Sequence, residues 1–512
     1  MIYFQLDEHF HECIFFLQMT LVKRVQRHKF GRVVVVCSVA CLIFLVLYIG
    51  LRHAESTTLM TATFREYSWK YSNDRSTVKN KYVKPRFVQK YNGVWQMVDP
   101  DVGIYLFSAF YDDRPSILES PTIRTIAVIE NGTYDSLSCW LWFGNNTRPV
   151  VANVTESKIG GWFEPEAGVF CSVILSCAVG TQAGRPAMIP EHVSIVTATQ
   201  TAAKTLLRVQ VPEKPKRKMA FGHCMPVAYG YQEPYRIVEW MELHRMWGVE
   251  EVTIYNHSLQ SKAIRVYRYY ADKGIVDIRN APCAIPAHPV DEEAIILNNS
   301  PMLNDCMYRN MYRYRRLVVT DLDEMIVPRL HDNYTAMLKA IDAEFSERQR
   351  KNTTRLSRAV QRDTRPTIRA QGSPLLSYVF NNVYFFSDLN ATTETPWYSP
   401  AQQYTRHVAP SPPWYSVKSI HNPLACLGLQ NHFCWAEHAV NGKKPVTKYA
   451  SKLIGMNHQY KKCHFDDYLR KPGMCKRLIK NFGVDHTMAR FREKLVSRVL
   501  VVLKELDPDL IE

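Results

Sequence analysis

Residues 317–328 read LVVTDLDEMIVP. An apolar run leads straight into three carboxylates and out into a second apolar run, the pattern of a buried strand that ends in a polar turn. In extended chain, residues i and i+2 point the same way. Asp321 and Asp323 are therefore expected to converge on one point at a strand's carboxyl end. Two carboxylates joined there by phosphate oxygens and water make an oxygen-rich site that suits Mn²⁺ or Mg²⁺. A cation so placed neutralises a diphosphate as it leaves. D-x-D alone is a weak motif, because acidic residues also end strands for solubility. Its weight comes from what surrounds it.

Upstream, the texture is α/β. Residues 219–230 (MAFGHCMPVAYG) read as a short strand and a turn. From Pro234 to Trp247, Ile237, Val238, Trp240, Met241, Leu243 and Met246 recur at helical spacing, and Gly248 offers a stop. Strands follow at 249–256, 275–278 and 317–320, with helices predicted over 263–273 and 292–316. This alternation predicts an α/β fold, a Rossmann-like and mostly parallel sheet with helices on both faces and ligands at the strands' carboxyl ends. The amphipathic stretch 487–506 predicts a core helix, and the Arg- and Lys-rich stretch 348–369 an exposed loop. No P-loop and no G-x-S-x-G elbow occurs.

The amino-terminal side is organised differently. Val33 to Leu51 carries no charge. At about 1.5 Å rise per residue it would cross about 30 Å of hydrocarbon. Lys23, Arg24, Arg27, Lys29 and Arg32 precede it, which predicts a cytoplasmic amino terminus and a luminal remainder. Met19 followed by TLVKRVQRHKFGR reads as the start of a conventional short tail. The predicted plan is a tail over 1–32, a transmembrane signal-anchor over 33–51, a polar stem over 52–100, a small β-rich domain over 101–211 and a catalytic α/β domain over 212–512. Strands in the β-rich part are expected at 104–110, 123–129, 139–143 and 169–175. Pro212 to Lys218 (PEKPKRK) is a linker by composition.

Composition agrees with a secretory-pathway globular chain. The 512 residues are 46% hydrophobic and 22% charged, which excludes a disordered chain or a rod. Of thirteen cysteines, Cys13, Cys37 and Cys41 precede residue 52; the remainder is even in number and permits disulfides in an oxidising lumen. Their spacings are not those of zinc sites. N-x-S/T sequons recur from Asn131 to Asn390. The net charge of +16 suits a solvated basic surface that attracts anionic ligands; with a luminal location, nucleic acid is not an expected partner.

The chain resembles family 92 glycosyltransferases, the former DUF23 group, and is similar to nematode Golgi β-galactosyltransferases. The resemblance rests on FGHCMPVAYG (221–230), EWMELHRMWGVEEVTIYN (239–256), LNDCMYRNMYRYRRLVVTDLDEMIVP (303–328), FNNVYF (380–385), VKSIHNP (417–423) with Gly428 and His432, and MNHQYKKC (456–463). It implies a GT-A nucleotide-sugar domain in a Golgi type II membrane protein. It also implies Mn²⁺, a UDP-sugar donor with UDP-galactose favoured, and inverting β-transfer to a glycan such as the core fucose of N-glycans. Asp321 and Asp323 match the family's acidic metal motif, which Glu324 completes. His432 and His458 are candidates for a third metal ligand. Lys418, Asn304, Asp305, Arg309, Tyr229 and Tyr255 are candidate donor contacts, although Asp305 and Arg309 also suit an i,i+4 ion pair and the tyrosines also suit core packing. Cys224 and Cys306 are cysteines of the family, which implies disulfides. Inversion needs a general base; Glu437, Asp388 and Asp466 are candidates, Glu437 preferred because it follows the Gly428–His432 block. The basic insertion at 345–370 and the stretch 424–435 depart from the family pattern. The alternative reading is a member without catalysis that serves as a Golgi scaffold or glycan-binding protein; the intact Asp321 and Asp323 weigh against it.

Overall fold

Ile104–Asp112 (β2) and Thr122–Glu130 (β3) are apolar or small at most positions, as strands covered on both faces must be. With Gln96–Met97 (β1), Leu137–Trp142 (β4), Val150–Ile159 (β5), Phe170–Ala178 (β6), His192–Thr197 (β7) and Leu207–Gln210 (β8), they form a sheet of order β1-β2-β3-β6-β5-β4-β7-β8. A parallel pairing of β2 with β8 at Ala109–Val209 closes seven of these strands into a barrel. Closure leaves no open edge among those seven. Alternate residues such as Leu106, Ala109, Ile123, Val173 and Leu175 fill one cluster, and the Cys139–Cys177 bridge joins β4 to β6. The other face of β2, β3 and β6 offers Phe107, Phe110, Ile126 and Ile174, which pack against Met302, Leu303 and Cys306. Barrel and remainder therefore share a core.

The computed structural model describes residues 84–85 and 93–506, apart from single residues, pairs and the stretches 115–120, 131–135, 160–169, 181–187, 283–291, 360–372, 387–403 and 464–479. Residues 79–512 form one compact unit. The segment Val33–Leu51 and nearly all of the expected stem lie outside the described residues. Among the described residues no helix is long and apolar enough to cross a membrane.

Beyond the barrel, Met219–Gly230 (β9), Val249–Leu259 (β10), Val276–Asn280 (β11) and Tyr314–Val319 (β12) pair in parallel, in the order β11-β10-β9-β12. The short strand Glu324–Pro328 (β13) leaves this sheet. Leu375–Phe380 (β14), Asn382–Phe386 (β15), Thr405–His407 (β16), Lys418–His421 (β17), Cys426–Leu429 (β18), Cys434–Glu437 (β19), Val446–Tyr449 (β20), Gly455–Lys461 (β21) and Phe482–Val484 (β22) complete the strands. The larger sheet continues β12-β17-β14-β20, with β17 antiparallel to both β12 and β14. A smaller sheet pairs β13 antiparallel to β21 and β21 parallel to β15.

The expected mostly parallel, Rossmann-like α/β fold is thus corrected. The described chain is strand-rich, with a closed seven-stranded barrel and a mixed second sheet. The α/β alternation that suggested otherwise holds only from 219 to about 320; among the described residues from 375 to 484 strand follows short strand, and apart from the β18–β19 hairpin their partners are far away in sequence. The stretch 348–369 is also corrected in part. The helix Tyr334–Ala359 runs into it, supported by i,i+4 pairs Glu344–Arg348 and Glu347–Lys351.

One helix positions the site. Pro234–Met246 starts with Pro234 in its first turn, and the Glu233 side chain caps the Tyr235 and Arg236 N–H groups. It ends at Trp247, and Gly248 at φ 104° turns the chain into β10. Cys224 on β9 is bridged to Cys306 on the helix Glu292–Asn310.

Candidate functional site

Strand β12 ends one residue before Thr320, and Asp321, Leu322 and Asp323 make a turn before Glu324 opens β13. The two aspartates therefore meet through a turn rather than along an extended strand. The turn is held from several sides. Glu324 N–H donates to Asp321 O at 3.1 Å, and Tyr460 N–H donates to Asp323 O at 2.7 Å. The indole N–H of buried Trp240 is shared between the carbonyls of Asp321 and Glu324, 3.1 Å from each. His223 Nε2 is 2.8 Å from Thr320 Oγ1. Ligand atoms of Asp321, Asp323 and Glu324 lie within 4.8 Å of one another.

Lys418 enters this cluster from β17. Its side chain is fully buried, and Nζ donates to Asp321 Oδ2 at 2.6 Å and to Asn431 Oδ1 at 2.7 Å, and lies 2.7 Å from Glu324 Oε2. Asn431 Nδ2 also donates to Asp321 Oδ2, at 3.2 Å. Gln459 Nε2 donates to Asp323 Oδ2 at 3.1 Å, and Asn457 Nδ2 is 3.5 Å from Glu324 Oε1. Both oxygens of Glu324 are thus engaged. Lys418 and Asn431 both act on Oδ2 of Asp321, and Gln459 on Oδ2 of Asp323, while the Asp321 and Glu324 carboxyls also meet each other.

Burial raises all three carboxyls, and their neighbours then separate them. The Lys418 ammonium holds Asp321 well below the usual carboxylate range. Burial and the Asp321 charge push Asp323 up. Burial pushes Glu324 up to about 8 in spite of Lys418, whose own pKa its two acidic partners raise. Carboxylates this close fit a hard divalent cation; Asp321 and Asp323 would hold it, with Glu324 beside them turned by one oxygen to Lys418.

The other sequence candidates are distributed as follows. His432 Nδ1–H donates to Val417 O at 2.9 Å, and the ring lies within electrostatic reach of Asp321; burial first, then Lys418, lower it to about 4. His458 lies between Asn457 and Gln459 on β21, so the pleat turns it to the opposite face, where it stacks on Phe385. Tyr255, Asp305 and Arg309 form one buried network: Tyr255 donates to Asp305 at 2.6 Å, and Arg309 pairs with Asp305 at 3.0 Å. Arg309 also reaches Gln210 of the barrel, at 2.5 Å. Asn304 clamps β18, accepting from Leu429 N–H at 2.8 Å and donating to Leu429 O at 2.7 Å. These four residues tie elements together away from the acidic cluster. Tyr229 is exposed near the end of β9. Glu437 ends β19, partly exposed, 3.5 Å from Lys444. Asp388 and Asp466 lie outside the described residues.

Sequence reasoning missed Trp240, Asn431, Asn457 and Gln459 as parts of the site. Trp240 carried only a core-helix signal. The other three are neutral amides whose role depends on which strand they face.

Comparison with known proteins covers the same part of the chain. Residues 219–498 match the model of glycosyltransferase family 92, beginning at β9 and ending within the helix Arg492–Glu505. The Caenorhabditis elegans protein beta-1,4-galactosyltransferase galt-1 is 22% identical over 296 residues, 54% of this chain and 64% of that relative. The match to galt-1 therefore spans less than two thirds of the relative's length. The barrel precedes the family match, which covers more than half of the chain and includes Asp321, Asp323, Glu324 and Lys418. The chain belongs to glycosyltransferase family 92.

Proposed function

We propose that this protein transfers a hexose from a UDP-sugar to a glycan in the Golgi lumen, with Mn²⁺ held by Asp321 and Asp323. The observation that carries the reading is the close group of Asp321, Asp323 and Glu324 on a turn braced by Trp240, Gln459 and Lys418. The cation supplies positive charge to the departing diphosphate. The protein's own residues would orient its ligands: Gln459 holds Oδ2 of Asp323, and Lys418 and Asn431 hold Oδ2 of Asp321. Galactose is the favoured sugar because the relative galt-1 is named a beta-1,4-galactosyltransferase. Inversion to a β-linkage onto a glycan such as core fucose needs a base, and Glu437 is the candidate among the described residues. Three described disulfides support an oxidising compartment.

UDP release by the purified protein tests the reading. UDP-galactose, UDP-GlcNAc, UDP-GalNAc and UDP-glucose are offered with a mixed N-glycan acceptor, in Mn²⁺ or in EDTA. Acceptor-dependent release from UDP-galactose that EDTA abolishes is the expected result. Binding of UDP and Mn²⁺ without turnover on any acceptor would point instead to a glycan-binding member without catalysis.

A further inference from the structure

A fully buried lysine inside a carboxylate cluster is costly to desolvate and persists only where its partners compensate it. Lys418 has three such partners within 2.7 Å: Asp321, Glu324 and Asn431. The arrangement engages Glu324 Oε2 and one oxygen of Asp321. It also places a fixed positive charge on the first atom shell behind Asp321. A divalent cation arriving alone meets the Asp321 and Asp323 carboxylates and a resident ammonium. A cation arriving with a diphosphate meets the same two carboxylates, with its own charge already balanced.

We propose that Lys418 acts as an internal counter-ion that keeps the site's affinity for a bare divalent cation low and makes cation binding contingent on the nucleotide diphosphate. Lys418 is in this sense a positioning residue, working through Asp321 and Glu324. The diphosphate half of the proposal rests on the UDP-sugar reading above; the bare-cation half does not.

Calorimetric titration of the metal-free protein with Mn²⁺ alone, and again with saturating UDP, tests it. In the natural protein Mn²⁺ alone is expected to bind weakly, and UDP to tighten it at least tenfold. By reciprocity, Mn²⁺ must tighten UDP by the same factor. In Lys418→Met, Mn²⁺ alone should bind at least tenfold more tightly, because one positive charge beside Asp321 is gone, and the UDP-dependent gain should shrink correspondingly. A residue needed only for folding would move Mn²⁺ affinity the other way. Glu324→Gln keeps Lys418 beside Asp321 and should leave the affinity for Mn²⁺ alone within about threefold of natural, and Lys418→Met/Glu324→Gln should keep most of the gain of Lys418→Met. If Lys418→Met does not fold, Lys418→Gln retains a hydrogen-bond donor without the charge and carries the same expectation. Weaker or unchanged Mn²⁺ binding in the Lys418 variants, or a tenfold loss in Glu324→Gln, overturns the proposal. Absence of UDP binding to the natural protein would sink the donor reading, while the bare-Mn²⁺ comparison still decides the role of Lys418.

Discussion

Gln459 donates from Nε2 to Asp323 Oδ2 at 3.1 Å, and this bond fixes which face of β21 looks at the acidic cluster. Asn457, two residues earlier, shares that face and reaches Glu324 at 3.5 Å. His458 between them is turned away, its ring centroid 4.7 Å from that of Phe385. Among the described residues the cluster is thus touched by amides and Lys418, with His432 at its margin and Arg236 and Lys461 within electrostatic reach of Asp323.

Asp323→Asn follows directly. Asparagine keeps an oxygen for Gln459 and preserves the size of the side chain, but removes a charge from the cation site. UDP release should fall by about 10²–10³-fold or more, while the thermal midpoint stays near that of the natural protein. Turnover near the natural level would show that Asp323 does not hold the cation.

Trp240→Phe tests the brace beneath the turn. Phenylalanine retains most of the packing but removes the N–H shared by the carbonyls of Asp321 and Glu324. A cost of about 1–3 kcal/mol is expected in urea unfolding, together with weaker Mn²⁺ binding in the presence of UDP. Loss of stability with unchanged Mn²⁺ binding would confine Trp240 to the core.

Arg114 links the barrel to the site-bearing half. Its buried guanidinium pairs with Asp112 at 2.7 Å and donates to Pro423 O at 2.9 Å and Cys426 O at 2.6 Å. Arg114→Ala leaves Asp112 partly uncompensated and two buried carbonyls unpaired, at a cost of about 3–5 kcal/mol. Denaturant unfolding followed by near-UV dichroism should shift as one transition. Separate barrel and sheet transitions would show that the shared core does not couple them.

Buried histidines predict an acid-side loss of stability. Burial lowers His421 to about 3, His458 to about 3 and His244 to about 4. In the unfolded chain these groups take up protons below about pH 6.5, whereas in the folded protein they do not until pH 3–4, so stability falls as pH drops through that window, by about 1.4 kcal/mol per pH unit for each. Glu324, raised to about 8, opposes them. It binds its proton more tightly in the folded state, so its contribution is lost as pH rises from about 4.5 to about 8. Metal-free protein in EDTA should therefore be most stable near pH 6–7. His421→Gln should flatten the acid limb by one histidine's share; an unaltered limb would show that His421 is not the group responsible.

Much of the site's address was legible in the sequence. LVVTDLDEMIVP located Asp321 and Asp323, and helical spacing over 234–247 placed a helix within one residue of Pro234–Met246. The apolar runs at 104–110, 123–129, 139–143 and 169–175 fall on β2, β3, β4 and β6. The barrel's closure was not legible, because it depends on β8, a four-residue strand, pairing with β2 about a hundred residues away. Lys418 looked like a free point charge for a diphosphate. Only the antiparallel insertion of β17 between β12 and β14 delivers it to Asp321.

The sequence by itself determined the carboxylates, the helix that supports them and the family to which the chain belongs, because those signals are local: composition, periodicity and residues adjacent along the chain. The tertiary structure alone decided which groups surround the carboxylates. Strand partners and the face a side chain takes are set by pairing over long sequence separations, and a change of one residue in register exchanges the two faces of a strand. That is why Asn457 and Gln459 line the site while His458 does not, and why the positive charge beside Asp321 comes from a residue 97 positions further along the chain.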